Sequence, residues 1–373
     1  MKKVISTILV IIGFGMLTAG YFVFNRFNQN PEQIFPYPYR FESPAPALKL
    51  DAPILIVGDR MGAYLAKFSS ELSANISINL SKPIKIQSIA SQGRALHRSL
   101  HELKSLIQWP QILIYQGASE EFLEQKFDPK FSSIIKTNFD LYKDDRIETL
   151  IILYPWLSRF IYWPHPRIIL RESPQLLTEV DEENYFKLLD TELLLFEQQL
   201  IQLVNLSRDR GSLLILTTTP INLEIAPKKS CSFTTPPELQ QELSEVERLI
   251  SANNPKAAYS LSNKLLKQFS GNADLYFKHG LISSRLGLID EAKNSLIQAT
   301  AFDCRPWRSS SVYNSIIHRV ARNHQVMLFD FAKLVENDWN QGPTFFDDIY
   351  PQNLYYEKAT KQLGLLLRQM LKL

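Results

Sequence analysis

Four short segments of the sequence carry glycine or polar side chains that could bind an anion or take part in acyl transfer. They are Gly58-Asp59-Arg60-Met61-Gly62, Ser91-Gln92-Gly93-Arg94, Gly117-Ala118-Ser119-Glu120 and Phe346-Asp347-Asp348-Ile349-Tyr350-Pro351-Gln352-Asn353. Each segment comes after an apolar run that is typical of a buried strand. Because open α/β sheets bind their ligands at the carboxyl ends of the strands, we expect these segments to share one edge of a sheet.

The elements that must position these segments follow from the apolar pattern. Candidate strands fall at 53–57, 84–90, 111–116, 213–216 and 326–331, and helical patterns fall at 63–74, 94–108 and 355–371. Continuously apolar strands that are separated by helices indicate a parallel sheet covered on both faces. The predicted fold class is α/β, with a flavodoxin-like three-layer α/β/α parallel sheet.

The order and spacing of the four segments resemble the SGNH (GDSL-type) hydrolase family. That family has Gly-Asp-Ser after the first strand, a Gly after the second, Gly-x-Asn-Asp after the third and Asp-x-x-His-Pro near the C-terminus. The resemblance covers 53–220 and 305–373. It implies an SGNH-like α/β domain in two parts, 53–236 and 305–373, around an insertion at 237–304.

The family's functional residues carry over only in part. The positions that match are Gly58, Asp59, Gly93, Gly117, Asp347 and Pro351. In the family a serine attacks an ester carbonyl, a histidine takes its proton, and an aspartate orients the histidine. The serine N–H, the glycine N–H and the asparagine amide hold the oxyanion. Here the serine, asparagine and histidine positions are occupied by Arg60, Ser119 and Tyr350.

These three replacements predict that hydrolysis has been lost. Arg60 cannot be deprotonated in a protein, so it cannot act as a nucleophile. Tyr350 has a reference pKa of about 10, which is poorly matched to general-base work near neutrality. Ser119 can still donate a hydrogen bond and Gly93 its N–H, so part of an anion-binding pocket is expected to persist. We expect a pseudoenzyme that acts as a binding or assembly factor in the cell envelope, without cofactor or metal.

The pocket could hold an anionic or carbohydrate group through Arg60. The guanidinium is expected to pair with Asp347 or Asp348, and the alternative is a solvated surface arginine. An active esterase or acyltransferase on cell-envelope glycans is the second hypothesis, and Ser91 is the candidate nucleophile nearest to Gly93.

Two histidines have the spacing of metal ligands on a helix. His97 and His101 are four residues apart on one predicted helix. Their motif contains no third ligand, so we expect them to be solvated or packed rather than bound to a metal.

The segment 237–304 has an internal period of 34 residues. Ala258 recurs as Ala292, Leu265 as Ala299, and Asn253 as Gly287. Small residues at these spacings resemble the tetratricopeptide repeat family, which implies a helical module that binds a protein partner. An ordinary helical hairpin is the alternative.

Cys231 and Cys304 flank this module. A disulfide between them would join the two ends of the module. The sequence supports equally well the alternative that both cysteines are unpaired, buried thiols.

Residues 150–170 are unusually aromatic. Arg159 and the prolines within this stretch exclude a membrane-spanning helix. Two interpretations remain, which are a packed lid over the sheet edge and an interfacial patch that places Trp156, Tyr162 and Trp163 among lipid headgroups.

The N-terminus predicts a membrane anchor. Residues 4–24 carry no charge and follow Lys2 and Lys3, which favours an uncleaved transmembrane signal anchor over a cleaved signal peptide. The lysines keep the N-terminus in the cytoplasm, so the main domain is expected to be periplasmic and tethered to the inner membrane by a Pro-rich segment at 25–52.

The formal net charge of +3, without a basic stripe, argues against a nucleic-acid partner.

Overall fold

The structure is a computed structural model that describes residues 35–78, 80, 82–174, 182–305 and 307–371, together with Gly15 and Gly20. The strands within the described residues are β1 (Tyr39–Phe41), β2 (Ile54–Gly58), β3 (Ile86–Ser88), β4 (Ile112–Gln116), β5 (Ile168–Leu170), β6 (Leu213–Thr217) and β7 (Met327–Phe329). The helices there are α1 (Arg60–Ala66), α2 (Ser69–Ile76), α3 (Leu96–Lys104), α4 (Ser132–Tyr142), α5 (Asp145–Leu153), α6 (Ser158–Ile161), α7 (Glu182–Asp209), α8 (Pro237–Ser251), α9 (Pro255–Gln268), α10 (Ala273–Arg285), α11 (Ile289–Ala301), α12 (Ser311–Asn323), α13 (Phe331–Glu336) and α14 (Asn353–Leu371).

The chain divides into two compact units. One unit comprises Met1–Glu42 and Lys126–Leu170, and the other comprises Ser43–Gln125 and Arg171–Leu373. The predicted segment 53–236 therefore contains residues that belong to the first unit. The cause is a pair of strands, because β5 near the end of the inserted stretch pairs in parallel with β1.

The second unit contains the predicted parallel sheet. Among the described residues it has five strands in the order β3-β2-β4-β6-β7, and every neighbouring pair is parallel. When these five strands are numbered 1 to 5 in chain order, they lie side by side in the order 2-1-3-4-5, which is a doubly wound arrangement. The predicted α/β class with a parallel sheet is confirmed.

Helices cover both faces of this sheet. Leu55, Val57 and Leu113 pack on one face with residues of α3, α7 and α12. Ile54 and Ile56 pack on the other face with residues of α2, α13 and α14. Successive strand residues point to opposite faces, so a strand buried on both sides must be apolar at every position. This requirement explains the continuous apolar runs of the sequence.

Several predicted elements differ from the observed ones at their ends. The pattern at 63–74 predicts one helix, whereas the structure has α1 and α2, and α1 begins as early as Arg60. The strand predicted at 326–331 ends at Phe329, because Asp330 accepts a hydrogen bond from the Lys333 N–H and starts α13. Local caps decide such ends, and apolar periodicity does not report them.

The first unit is held together by aromatic side chains. Phe35 lies 4.6 Å from Phe139 and 5.2 Å from Tyr142, as measured between ring centroids. The assignment of the whole of 25–52 to a tether is corrected at 39–41, which forms β1. The reason is that these residues find a partner strand 129 positions later, which local sequence patterns do not reveal.

Helices α8 to α11 follow one another in the segment predicted as a helical insertion, and α8 begins at Pro237. Helices α8 and α10 end at Ser251 and Arg285, which are 34 residues apart. Asn253 and Gly287 both adopt a left-handed backbone, with φ of 54° and 77°. Cys231 and Cys304 are joined by a disulfide, and their Cα atoms are 5.4 Å apart.

The predicted anchor at 4–24 lies outside the described residues, apart from Gly15 and Gly20. In the part of the chain that is described, no helix combines the length and the apolar character needed to cross a membrane.

Candidate functional site

Asp59 is the structural centre of the candidate site. It follows β2, caps the start of α1 by accepting from the Met61 N–H at 2.9 Å, and is fully buried. Its other oxygen accepts from the Ser119 N–H at 2.6 Å, the Ser119 hydroxyl at 2.8 Å and the Glu120 N–H at 3.1 Å. Through these hydrogen bonds, Asp59 links the loop after β4 to the start of α1.

The environment of Asp59 disfavours its charged form. Burial, followed by the nearby Glu120 carboxylate, raises the pKa of Asp59 to about 7, although hydrogen bonds from Met61 and Ser119 act in the opposite direction. A pKa in this range lets the carboxyl group change charge near neutral pH.

Glycine allows the two loops to approach closely. A Cβ atom at Gly58, whose φ is +136°, would lie 1.8 Å from the Gln116 carbonyl oxygen. A Cβ atom at Gly62 would lie 2.7 Å from the same oxygen. No other residue fits at Gly58, so the glycine of the Gly-Asp motif is needed for backbone contact between β2 and β4. In the loop after β4, Ala118 also has a positive φ of 75°, a strained conformation for a residue with a side chain.

Two backbone N–H groups converge at this point of the sheet edge, and we call them the amide pair. They belong to Arg60, the first residue of α1, and to Gly93, in the loop after β3. Both donate to the same oxygen of Glu120, at 3.2 Å and 2.8 Å. Glu120 itself is only 2% exposed. The amide pair has the geometry of an anion-binding site, and a carboxylate of the same chain occupies it.

The Arg60 guanidinium lies against the same loop. Its Nε atom is 3.7 Å from the other oxygen of Glu120 and donates to the Ser119 hydroxyl at 3.3 Å. Its Nη2 atom donates to the carbonyl oxygens of Ser119 and Trp307, at 3.2 Å and 3.1 Å. Burial raises the pKa of Glu120 above its ordinary value, and the Arg60 charge opposes that effect.

The expected partner of Arg60 is corrected by these contacts. The ion partner is Glu120, and the ion pairs of the described residues include none between Arg60 and Asp347 or Asp348. The alternative of a solvated surface arginine is also wrong, since Arg60 is 9% exposed. The reason is the early start of α1, which places the side chain of its first residue against the loop after β4.

Asp347 makes hydrogen bonds within its own loop, and Tyr350 packs against α1. One oxygen of Asp347 accepts from the N–H groups of Ile349 and Tyr350, at 2.8 Å and 2.6 Å. The Tyr350 ring stacks on Tyr64, with ring centroids 4.8 Å apart. Burial raises the pKa of Tyr350, and the Arg60 charge opposes the shift. The phenol therefore stays protonated, which makes it a poor general base.

The other predicted site positions fall into two groups. The first group meets at the amide pair through the contacts given above and consists of Asp59, Arg60, Gly93 and Ser119.

The second group lies outside the amide pair and consists of Gly117, Asp348 and Ser91. A Cβ atom at Gly117 would lie 2.5 Å from the Tyr115 hydroxyl, so this glycine has a packing role. Asp348 acts electrostatically on Arg308. Ser91 donates its N–H to the Gly58 carbonyl at 3.3 Å, and no hydrogen bond found among the described residues joins its hydroxyl to a histidine or a carboxylate.

The two histidines on α3 have separate partners. His97 is buried and its Nε2 atom lies 2.8 Å from Glu124, whereas the His101 Nε2 atom lies 3.1 Å from the Ser43 carbonyl oxygen. Arg98 binds the same Glu124 carboxylate with distances of 2.7 Å and 2.5 Å. No cluster of three candidate metal ligands occurs in the described part of the chain.

The carboxylates that organise this edge of the sheet were not predicted as site residues. Glu120 fills the amide pair, Glu121 accepts from the Leu96 N–H at the start of α3 at 2.8 Å, and Glu124 binds His97 and Arg98. Burial raises the pKa of Glu124, but the hydrogen bonds from His97 and Arg98 outweigh it and hold the pKa at about 2. The signal in the sequence was the presence of these three glutamates within eight residues of the end of β4, but glutamates in a loop are normally solvated.

Comparisons with protein-family models, with curated proteins and with solved structures found no match to this chain.

Proposed function

We propose that this protein is a non-catalytic relative of the SGNH hydrolases that acts as a binding or assembly factor. In this proposal, residues 4–24 anchor it in the inner membrane and the remainder lies in the periplasm. The proposal covers three parts of the chain, which are the degenerate site, the helical segment and the N-terminal anchor.

The occupied amide pair carries the proposal. In an SGNH hydrolase, the N–H groups at the serine and glycine positions stabilise the oxyanion of the reacting ester. The equivalent N–H groups of Arg60 and Gly93 here both donate to Glu120. A second anion would meet the Glu120 carboxylate and find both N–H groups of the amide pair already donating, so these two groups would not stabilise the transition state of ester hydrolysis.

The arrangement of the other positions supports the same conclusion. The strand order 2-1-3-4-5, with the Gly-Asp motif after β2 and the Gly-x-Ser-Glu motif after β4, is compatible with an SGNH-like domain. The nucleophile position holds a guanidinium that binds carbonyl oxygens of Ser119 and Trp307. The base position holds a protonated tyrosine. A scaffold of this kind can retain structure without retaining chemistry.

The helical segment α8–α11 is the proposed binding surface. Asn253 and Gly287, which the 34-residue period makes equivalent, share the left-handed backbone that ends a helix. Ala258 and Ala292 are both fully buried, as small residues at a close helix contact must be. These features favour a pair of tetratricopeptide-like repeats, whose outer surface would recognise a protein partner.

The disulfide supports export. Disulfides form and persist in oxidising compartments such as the bacterial periplasm. The link between Cys231 and Cys304 is consistent with that location and with the topology expected of a signal anchor.

An esterase assay tests the loss of catalysis. We expect the full chain, given a small activated acetyl ester, to show no turnover beyond that of the Ser91→Ala variant. Turnover in the wild type that disappears in Ser91→Ala would contradict the proposal and support the glycan esterase or acyltransferase hypothesis.

A second comparison isolates the role of Glu120. Two variants both carry Arg60→Ser and Tyr350→His, and one of them also carries Glu120→Asp, which shortens the side chain by one methylene. If the carboxylate blocks the amide pair, any recovered turnover should appear only in the variant with Glu120→Asp. Equal turnover in both variants would show that Glu120 is not the obstacle.

A further inference from the structure

The first unit has an unusually apolar exposed surface. Ile152, Leu153, Tyr154, Phe160 and Trp163 are 57%, 62%, 43%, 75% and 60% exposed. These residues, which we call the interfacial face, lie within the stretch from the last turn of α5 to the loop after α6. Monomeric proteins seldom expose apolar side chains in such density, and a dense group marks an interaction surface.

The last turn of α5 is apolar on all sides. Ile151 is fully buried in the first unit, while the next two residues, Ile152 and Leu153, are exposed. A helix turn that is apolar all round is suited to protein on one side and to a second apolar medium on the other.

The structure holds Trp163 in its exposed position. The buried side chain of Asn138 accepts from the Trp163 N–H at 2.8 Å and donates to the Trp163 carbonyl at 3.0 Å. This double hydrogen bond ties the Trp163 backbone to α4, and 60% of the residue remains exposed. Tryptophan at such a position is typical of the boundary between lipid headgroups and acyl chains.

Charge favours a lipid partner for this face. Residues 150–170 contain no Asp or Glu, and they carry the exposed cations Arg159 and Arg167. Basic residues beside an apolar face are attracted to anionic lipids, each by about 1 kcal/mol near the surface.

The path of the chain favours the membrane as the partner of the interfacial face. The apolar run 4–24 is followed by ten residues, 25–34, and then by Phe35, which is 6% exposed and packs on Phe139 of the first unit. Ten fully extended residues reach at most about 35 Å. If 4–24 spans a bilayer, the first unit is held within that distance of the same bilayer.

We infer that the interfacial face inserts into the headgroup region of the membrane that holds the anchor. This inference rests on the anchor in the proposed function. The insertion would keep the first unit in contact with the lipid surface, at a depth of about 5–10 Å for the apolar side chains.

Site-specific fluorescence in nanodiscs tests the inference on the full chain. The native cysteines are joined to each other, so a cysteine introduced by Phe160→Cys is the thiol available for an environment-sensitive label. The matched control is Ile107→Cys, in the second unit, where the side chain is 72% exposed. The discs contain phosphatidylethanolamine and phosphatidylglycerol, one protein chain each, and lipids with a nitroxide quencher near the headgroup.

The expected result is several-fold stronger quenching of the label at 160 than of the label at 107. Equal quenching at the two positions, with the chain present in the discs, overturns the inference and leaves the anchor intact. Failure of the chain to enter the discs overturns both the anchor and the inference. A second set of discs holds two chains each, and shielding of the label at 160 in that set alone would overturn the inference and assign the face to a second copy. Leu153→Cys is the second variant if Phe160→Cys does not fold.

Discussion

The Gly93 N–H donates a hydrogen bond of 2.8 Å to the carboxylate of Glu120. The same oxygen accepts the Arg60 N–H, so an internal anion occupies a site built for anions. The bond joins the loop after β3 to the loop after β4 and, under the proposed relationship, places a carboxyl group where an SGNH hydrolase would hold the oxyanion. The amide pair is therefore filled by a contact within the chain.

Removing the Glu120 carboxylate should create an anion site that external anions can fill. Glu120→Ala leaves the amide pair and Arg60 without their partner, so we expect a loss of about 1–3 kcal/mol in the free energy of unfolding. Acetate should raise the Tm of this variant with concentration, because a ligand of the folded state stabilises it. Thermal unfolding with increasing acetate is the measurement.

The control for this experiment is Glu71→Ala, which removes an exposed glutamate of α2. Its Tm should respond to acetate as the wild type does. A Glu120→Ala variant whose Tm does not respond beyond that baseline would contradict the description of the amide pair as an anion site.

Asp59 should make the protein less stable as the pH rises from about 4 to about 7. Its pKa is about 7 in the folded chain and about 3.9 when unfolded, so in this window the folded state holds a proton that the unfolded state has released. Stability then falls with increasing pH, by at most about 4 kcal/mol for a difference of about three pKa units. Urea unfolding at several pH values measures the slope.

The variant Asp59→Asn retains an oxygen that can cap α1 but does not titrate. We expect the slope between pH values of about 4 and 7 to become shallower in this variant. An unchanged slope would assign the pH dependence to other groups.

Glu124 should act in the opposite direction at lower pH. Its pKa of about 2 lies below its ordinary value, so its contribution to stability is complete above the unfolded pKa and is lost as the pH falls toward about 2. Glu124→Gln leaves the buried Arg98 without its counter-ion and should cost about 3–5 kcal/mol. Acid unfolding of the wild type and of the variant, followed by circular dichroism, measures how much stability each protein loses as the pH falls. A variant as stable as the wild type at neutral pH would refute this account.

The disulfide between Cys231 and Cys304 should stabilise the helical segment that it encloses. The cysteines are 73 residues apart, and closing a loop of this length removes unfolded-state entropy worth about 4 kcal/mol. The double variant Cys231→Ser and Cys304→Ser should lose stability of that order in urea unfolding. Reducing agent should destabilise the wild type and leave the double variant unaffected, and any effect on the variant would point to another cause.

Two glycines of the helical segment should tolerate substitution differently. A Cβ atom at Gly280 would lie 2.7 Å from the Leu296 side chain, so Gly280→Ala should cost about 1–3 kcal/mol by overpacking α10 against α11. Gly287 has open space around it but a φ of +77°. Since Asn253 has the same backbone at the equivalent position, Gly287→Asn should be nearly neutral. Equal losses in the two variants, measured by thermal unfolding, would argue against the structural repeat.

The parallel sheet could be predicted because its determinants are local. The buried strands β2 and β4 appear in the sequence as continuous apolar runs, and such runs need no knowledge of their partners. The pairing of β1 with β5 could not be predicted in this way. Tyr39 and Ile168 meet across 129 residues, and neither segment has a strand pattern strong enough to stand out.

The sequence by itself determined the α/β class, the glycines at the edge of the sheet and the chemistry that Arg60 and Tyr350 cannot perform. These conclusions depend on residue type and local periodicity. Only the tertiary structure decided that Glu120 fills the amide pair and that Arg60 binds Glu120 rather than Asp347 or Asp348. The physical reason is distance along the chain, since Glu120 is 60 residues from Arg60 and 27 from Gly93. Which of several carboxylates satisfies a buried N–H depends on how separate loops pack, and that packing is a property of the whole domain.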